Sequence, residues 1–306
     1  MKIAILGAGA MGGLFSAYLS RQHEVTVIDV NAALVEKLRS TGISVEEKDG
    51  SEKIYHPNAT TDASAMGEVD LVVVFVKAMF SEAALRNNQN IIGPHTYLLT
   101  LQNGSGHEDM LLKFADAAHV VIGATQHNAS VAGLGAIRHG GSGKTVIGCP
   151  CGDSAHLQPI ADAFTACDLA CEVDSDVQKL IWNKMFTNVS LSALTGALQV
   201  PIGFIGTNPY AWNACGTLVR EAVDVAAGLG MDFEYDKILA DVKTVCENAP
   251  NGLTSIYADL RDGRRTEVDT ISGSVVRASE KCGVPAPSHA FLVQLIHAME
   301  EKAAQK

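Results

Sequence analysis

The first thirty residues constrain this chain most. An apolar stretch from Lys2 to Leu6 leads into the turn Gly7-Ala8-Gly9-Ala10-Met11-Gly12-Gly13. A helical run through Tyr18 and Leu19 follows, then a second apolar stretch, Glu24 to Ile28, closed by Asp29. Gly7 permits the tight turn, Gly9 removes a side chain so that backbone can approach a pyrophosphate, and Gly12 lets the helix pack close to its strand. A lone G-x-G-x-x-G is weak, because glycines also occur in ordinary loops. Strand, glycines, helix, second strand and terminal acid in this order make the signal specific. The pattern predicts a dinucleotide held by Gly7, Ala8, Gly9, Ala10, Met11 and Gly12.

Asp29 ends the second strand, where a carboxylate can accept hydrogen bonds from the ribose hydroxyls of the adenosine and repel the extra phosphate of NADP. No arginine follows in Val30-Asn31-Ala32-Ala33 to form a bidentate pair with a 2′-phosphate. NAD is therefore expected ahead of NADP. The competing reading is that Asp29 caps the helix that begins near Asn31.

A chain of 306 residues, 47% hydrophobic and 19% charged, is long for one core and comfortable for two domains. The formal net charge of −11 argues against a nucleic-acid partner, which requires clustered Lys and Arg. Lys2 and the apolar residues behind it superficially resemble a secretory signal, but that stretch carries the phosphate-turn glycines and Arg21 follows directly. No run of about 20 apolar residues occurs. A cytosolic protein is expected, without membrane partners. Seven cysteines, an odd number without framework spacing, agree with this and read as buried free thiols. Cys149, Cys151, Cys167 and Cys171 do not have zinc-knuckle spacing, so no metal is expected.

Alternating strands and helices in the first half predict an α/β, doubly wound sheet of Rossmann type. Leu71-Val-Val-Val-Phe-Val76 reads as a strand buried on both faces. Ile43 to Glu46 and Lys53 to His56 read as short extra strands, and Ala136 to His139 with Thr145 to Ile147 as a hairpin around Gly140-Gly-Ser-Gly143. Gly143-Lys144-Thr145 ends like a G-x-x-x-x-G-K-T phosphate loop, but Arg138 occupies the place of its first glycine, so the segment reads as a turn. Strand signals vanish beyond Asp174, which predicts a nucleotide-binding domain over 1–170 and an all-helical domain over 171–306. Between Lys184 and Arg220 no side chain is charged, while Gly196, Pro201, Gly203 and Pro209 interrupt the run. That describes buried helices at the heart of a domain.

The helix expected from Asp174 to about Leu198 presents Lys184, Asn188 and Ser192 at i, i+4 and i+8, on nearly one face. An ammonium among Ile181, Met185, Phe186, Val189, Leu191 and Leu194 is costly unless it faces a ligand or a wet cleft. The plainer alternative is a solvated face.

Ile181-Trp-Asn-Lys184-Met-Phe-Thr-Asn188, Thr254-Ser255-Ile-Tyr-Ala-Asp259-Leu-Arg, Arg265-Thr-Glu267-Val-Asp269, Lys77-Ala78 and Gln102-Asn103-Gly104 together resemble the signatures of the ketopantoate reductase family, in the right order along the whole chain. The resemblance implies a nucleotide domain followed by a helical domain, with hydride passing in a cleft from reduced nicotinamide to a 2-oxo acid. It implies Lys184 as the catalytic lysine, donating a proton to the developing alkoxide. It further implies Asn188 and Ser255 on the substrate, Glu267 holding Lys184, the substrate or the nicotinamide ribose, and Lys77, Asn103 and Ala129 lining the cofactor. Read without the resemblance, Glu267 is a carboxylate complementing a helix dipole, Ser255 a helix-start residue, Lys77 a strand-end surface lysine and Asn103-Gly104 a turn.

Two departures bear on the substrate. Ser192 stands one turn beyond Asn188 where the family commonly has a second asparagine, and Ile202 follows Pro201 where a further one is common. With Asp29, these suggest the branch of NAD-dependent D-2-hydroxyacid dehydrogenases, with Ser192 still counted among the substrate-binding residues. The competing classes are a 3-hydroxyacid dehydrogenase of the β-hydroxyacid type, disfavoured by Glu267 in its Thr-Glu-Val-Asp setting, and a noncatalytic NAD-binding sensor, disfavoured by Lys184 with Glu267. The expected partners are a small 2-oxo acid and a second copy of the chain.

Overall fold

The computed structural model describes residues 1–304. The chain divides into two compact units. One comprises Met1–Gln102 with His107–Gln178; the other comprises Asn103–Gly106 with the chain from Lys179 onward.

The first unit contains twelve strands: β1 (Lys2–Leu6), β2 (Glu24–Ile28), β3 (Ile43–Glu46), β4 (Glu52–Tyr55), β5 (Asn58–Thr60), β6 (Leu71–Val74), β7 (Tyr97–Thr100), β8 (Val120–Thr125), β9 (Asn128–Gly133), β10 (Ala136–Gly141), β11 (Thr145–Gly148) and β12 (Cys171–Val173). Eight of them form one sheet in the order β12-β11-β8-β7-β6-β1-β2-β5. Six run parallel, and β11 with β12 runs opposite to them. Chain order reverses at β1, whose Ile3 pairs with Val25 of β2 on one side and Leu71 of β6 on the other. In an open α/β sheet that reversal leaves a crevice at the carboxyl ends of the strands. The uninterrupted apolar run of β6 follows from its place: Leu71, Val72, Val73 and Val74 are all 0% exposed, each contributing about 1.5–3 kcal/mol of burial.

A second sheet, ordered β4-β3-β10-β9, packs on helix Ala10–Leu19. A buried polar chain joins the two. Tyr18 donates to Glu47, Nδ1 of His139 faces Glu47 Oε2 at 2.8 Å, and Nε2 of His139 faces Nδ1 of His127 at 3.2 Å. The expected hairpin between Ala136–His139 and Thr145–Ile147 does not form. β10 pairs with β9 and β3, whereas β11 crosses to the main sheet and pairs with β8 and β12. The glycines between them carry a change of sheet, and Lys144 is paired with Glu172 at 2.6 Å instead of starting a phosphate-binding helix.

The boundary between the units falls at Gln178 and not at residue 170, because β12 completes the edge of the first sheet. The cysteine expectation needs correction for one pair. Cys149 and Cys151, with Cα atoms 5.1 Å apart, form a disulfide, a separation within disulfide reach. Cys167, Cys171, Cys215 and Cys246 are buried free thiols and Cys282 is a partly buried one.

The second unit is helical. Helix Val177–Leu198 is followed by Ile202–Thr207 and Pro209–Gly228, the last capped by Asn208, which accepts from the N–H groups of Tyr210 and Ala211. The uncharged stretch belongs to its core, with Val189, Ala193, Ile205, Cys215 and Val219 all 0% exposed. No described helix is long and apolar enough to cross a membrane.

Each unit contains a buried histidine that resists protonation. Burial lowers both His127 and His289 below the ordinary histidine value, the Leu218 carbonyl and Glu221 only partly opposing this for His289. His127 Nε2 and His289 Nδ1 have no hydrogen-bond partner among the described residues. A base whose folded pKa is depressed leaves stability intact above the unfolded value and removes it as pH falls through that value towards the folded one. Thermal unfolding followed from pH 8 to pH 5 is therefore expected to show a midpoint that drops below about pH 6.5. A midpoint constant over that range would refute the assignment.

Candidate active site

The glycine turn separates into positions demanded by the protein and one that is not. Gly7 has φ +94°, and a Cβ there would lie 2.8 Å from the Val76 nitrogen. A Cβ on Gly12 would lie 1.9 Å from the Gly7 carbonyl oxygen, so that glycine is what allows helix Ala10–Leu19 to start against its strand. Gly9 differs from both. Its φ of −65° suits any residue, and nothing lies within 4 Å of a Cβ built on it. Its missing side chain leaves room for something other than the protein. The helix behind it starts without a side-chain cap, so its first N–H groups, including those of Ala10 and Met11, suit a phosphate.

Asp29 holds this turn. Its Oδ2 accepts the Ala8 N–H at 2.8 Å and its Oδ1 the Asn31 N–H at 2.9 Å. The helix Ala32–Thr41 is capped by Asn31, which accepts from Leu34 N–H at 3.1 Å, and not by Asp29. A carboxylate has about four acceptor sites, so Asp29 keeps capacity for ribose hydroxyls. Beside it lies a groove of about 340 Å³ whose walls include Gly9, Asp29, Asn31, Leu34, Leu134 and Ile137, and none of its described lining residues is a lysine or arginine.

At the carboxyl ends of β6 and β7, Lys77 precedes the short turn Ala78–Phe80. Gln102 spans this turn. Its Nε2 donates to the Val76 carbonyl at 2.5 Å and to Ser81 Oγ at 2.9 Å, while its Oε1 accepts from Thr100 Oγ1 at 2.8 Å. The sequence quoted Gln102 only as part of a motif; its bracing of the backbone on both sides of Lys77 was missed. Ala129 sits on β9, paired with His139.

In the helical unit, Lys184 is exposed, Asn188 half-buried and Ser192 buried at 3% exposure. Lys184 is reachable by water yet surrounded by enough protein that desolvation lowers its ammonium below the usual lysine value. The far end of this helix meets the segment carrying Ser255. Thr195 Oγ1 lies 2.8 Å from Thr254 Oγ1, and Thr254 caps helix Ser255–Arg261 through the Tyr257 N–H at 3.2 Å. Ser255 is exposed at the first position of that helix. Ile202, in contrast, is buried in the core.

Glu267 lies in a turn five residues ahead of helix Ser272–Cys282, not at the helix start. Its carbonyl accepts the N–H groups of Thr270 and Ile271. The Thr266 N–H donates to Glu300 Oε1 at 2.7 Å, and Asp269 Oδ1 lies 2.9 Å from His297 Nε2. Sequence reasoning missed His297 and Glu300. Ser274, just beyond the turn, donates to Met185 Sδ at 3.2 Å, which brings this segment to the residue after Lys184. Asn103 joins the same unit. Gly104, at φ +99°, lies so close to Thr270 that a Cβ would fall 1.8 Å from its carbonyl oxygen. The Asn-Gly pair is thus a close approach to the Glu267 turn.

Comparison with known proteins adds the following. Residues 3–151 match the family described as Ketopantoate reductase PanE/ApbA, and residues 176–300 match Ketopantoate reductase PanE/ApbA C terminal. A 2-dehydropantoate 2-reductase of Halobacterium salinarum is 29% identical, the alignment covering 97% of this chain and 98% of that one. Among solved structures, a D-mandelate dehydrogenase with NADH and anilino(oxo)acetate superposes with a TM-score of 0.91 at 31% identity, covering 99% of this chain and 100% of that one. A PanE/ApbA family ketopantoate reductase from Ralstonia eutropha JMP134 gives 0.90 at 28%, with coverage of 99% and 100%.

The contrast between Gly9 and Gly12 yields a paired prediction. Gly9→Ala should fold with an unchanged melting temperature and bind NADH about tenfold or more weakly. Gly12→Ala should lose about 1–3 kcal/mol of stability from overpacking. Calorimetry and fluorescence titration check both, and a Gly9→Ala protein that binds NADH normally would show that the space at Gly9 is not a ligand's.

Proposed function

We propose that this chain, which belongs to the ketopantoate reductase family, reduces an apolar 2-oxo acid to its D-2-hydroxy acid with NADH. It is an oxidoreductase acting on a 2-oxo acid with a nicotinamide cofactor, which supplies the hydride when bound. The observation that carries the residue assignment is the Lys184 ammonium, kept accessible yet lowered by desolvation on a helix that also bears Asn188.

A lowered ammonium is a better proton donor near neutral pH than an ordinary lysine. Lys184 donates that proton to the substrate oxygen and, while charged, stabilises the negative charge developing there. Asn188 contacts the substrate, with Ser192 behind it, and the Ser255 hydroxyl takes the substrate carboxylate. Glu267 orients Lys184, the substrate or the nicotinamide ribose. The turn Gly7–Gly12 takes the pyrophosphate, Asp29 the adenosine ribose, and Lys77, Asn103 and Ala129 line the cofactor.

Three observations support NADH and an apolar substrate. Asp29 and the non-basic groove beside it give a 2′-phosphate a carboxylate neighbour and no described cation along the groove wall. Ser192 and Ile202 stand where the family commonly has asparagines and both are buried, leaving fewer amides to hydrogen-bond a substrate hydroxyl. The likeness to a D-mandelate dehydrogenase holding NADH points the same way. The second reading, reduction of ketopantoate itself, is favoured by curated relatives described as 2-dehydropantoate 2-reductases.

Steady-state kinetics with NADH and NADPH against ketopantoate, 2-oxoisovalerate, 2-oxoisocaproate and phenylglyoxylate separate these readings. NADH is expected to be preferred, Asp29→Ala to narrow that preference, and at least one apolar acid to match ketopantoate in kcat/KM. A ketopantoate advantage of orders of magnitude would establish the second reading. Lys184→Ala is expected to lose about 10²–10⁴-fold in kcat while still binding NADH; near-normal turnover would remove Lys184 from the chemistry.

A further inference from the structure

The turn that carries Glu267 is held on one side by Glu300 and on the other by His297. Ahead of Glu267, the Thr266 N–H is bound by Glu300 Oε1 at 2.7 Å. Beyond it, Asp269 Oδ1 lies 2.9 Å from His297 Nε2, and the other ring nitrogen, Nδ1, lies 3.0 Å from Glu300 Oε2. We propose that His297 is the positioning residue for Glu267, acting as an imidazolium that ties the Glu300 anchor of Thr266 to Asp269, and that it thereby sets an upper pH limit on turnover. The inference rests on the reading of Glu267 as part of the active site.

Chemistry requires the charged ring. Both nitrogens face carboxylate oxygens, which accept and cannot donate while ionised. A neutral imidazole has one N–H and one lone pair, so it can satisfy one carboxylate and must turn a lone pair towards the other. The two ends differ. The Glu300 side chain is 8% exposed and that of Asp269 is 60% exposed. Glu300 is held in the ionised form: burial opposes this, and the bonds from Thr266 and His297 override it. Loss of the proton therefore frees the Asp269 side chain, where water can replace the ring, and removes the link between that side chain and the Glu300 anchor of Thr266.

The charged groups around His297 agree with this. Burial disfavours its protonation, but the hydrogen bonds to Glu300 and Asp269 outweigh burial and raise it above the ordinary histidine value. Helix Pro287–Ala304, which carries His297, packs against helices Ser255–Arg261, Ser272–Cys282 and Pro209–Gly228. Their charged residues are Asp259 and Arg261; Arg277, Glu280 and Lys281; and Arg220, Glu221 and Asp224. Arg277 donates to the Asp269 carbonyl at 2.7 Å and so braces the same turn, Glu221 is engaged at the start of the helix by the N–H groups of Ser288 and His289, and Asp259 is paired with Arg264. With a raised pKa, the doubly bonded ring persists below the ordinary value and is lost as pH rises through the raised one.

The test is the pH dependence of kcat for the full chain with NADH and a saturating 2-oxo acid, in the wild type, His297→Gln, His297→Arg and Glu267→Gln. Glutamine offers one donor and no charge, like the neutral ring. Arginine offers a charged fork that does not titrate. His297→Gln is expected to lower kcat about tenfold without changing the NADH Kd, and to abolish the alkaline limb that begins above about pH 6.5, whereas any limb due to Lys184 persists. His297→Arg is expected to restore kcat to within about threefold, with that limb absent. A structural role alone would shift the melting temperature and leave the limb in place. Wild-type kcat and profile in His297→Gln, alongside an inactive Glu267→Gln, would overturn the inference and leave the Glu267 reading standing. Failure of His297→Arg to recover activity also overturns it. Unchanged kcat in Glu267→Gln would bring down both.

Discussion

The hydrogen bond from the Ala8 N–H to Asp29 is the contact on which the first unit's binding geometry depends. It joins the glycine turn after β1 to the end of β2, so the uncapped N-terminus of helix Ala10–Leu19 is fixed relative to a carboxylate. The helix can begin there only because Gly12 lies against the Gly7 carbonyl, with no room for a Cβ. A turn held so tightly has its backbone N–H groups oriented before any ligand arrives, and a preorganised site need not spend binding energy on ordering itself. The same bond occupies one lone pair of Asp29 and a second bond, from Asn31, occupies another. What is left for a ligand is directional as well as charged.

The fold was legible where burial on both faces removes ambiguity. Leu71–Val74 and the bounds of β1 and β2 read directly from apolar runs, because a strand between two neighbours in a parallel sheet has no solvent face to encode. The segment from Ala136 to Gly148 was misread for the opposite reason. Two short apolar strands separated by glycines carry the signature of a hairpin, and nothing local states that β10 belongs to one sheet and β11 to another; that choice lies with β3 and β8, far away in sequence. Cys149 and Cys151 illustrate the same limit, since spacing alone does not say whether two thiols point at one another.

The candidate site was legible as motifs and hidden as architecture. Lys184 and Asn188 stood out as polar residues on an apolar helix and Asp29 as the acid that closes a strand, whereas Glu267 stood out only through the family resemblance. Gln102, His297 and Glu300 did not, because their value lies in partners many residues away: Val76 and Ser81 for Gln102, Asp269 for His297 and Thr266 for Glu300. Asn103-Gly104 was half-read. Its glycine has the positive φ that a turn would give it, but the carbonyl of Thr270 is the neighbour that forbids a side chain. Bonds of this kind gain strength away from water and become costly when one partner is missing, so a turn braced by several of them holds its side chain in place.

The lysine on helix Val177–Leu198 brings these points together. An arginine there would keep its charge under almost any condition and could stabilise an alkoxide, but it could not release a proton to one. A lysine in open water holds its proton too firmly to be an efficient acid near neutrality. Desolvation works against that hold, and it is the cause of the lowering at Lys184. The absence of charged side chains from 185 to 219 then has a chemical reading beside the structural one. The same uncharged residues build the core around Val189, Ala193 and Ile205, so no neighbouring charge along the helix offsets the desolvation that lowers Lys184.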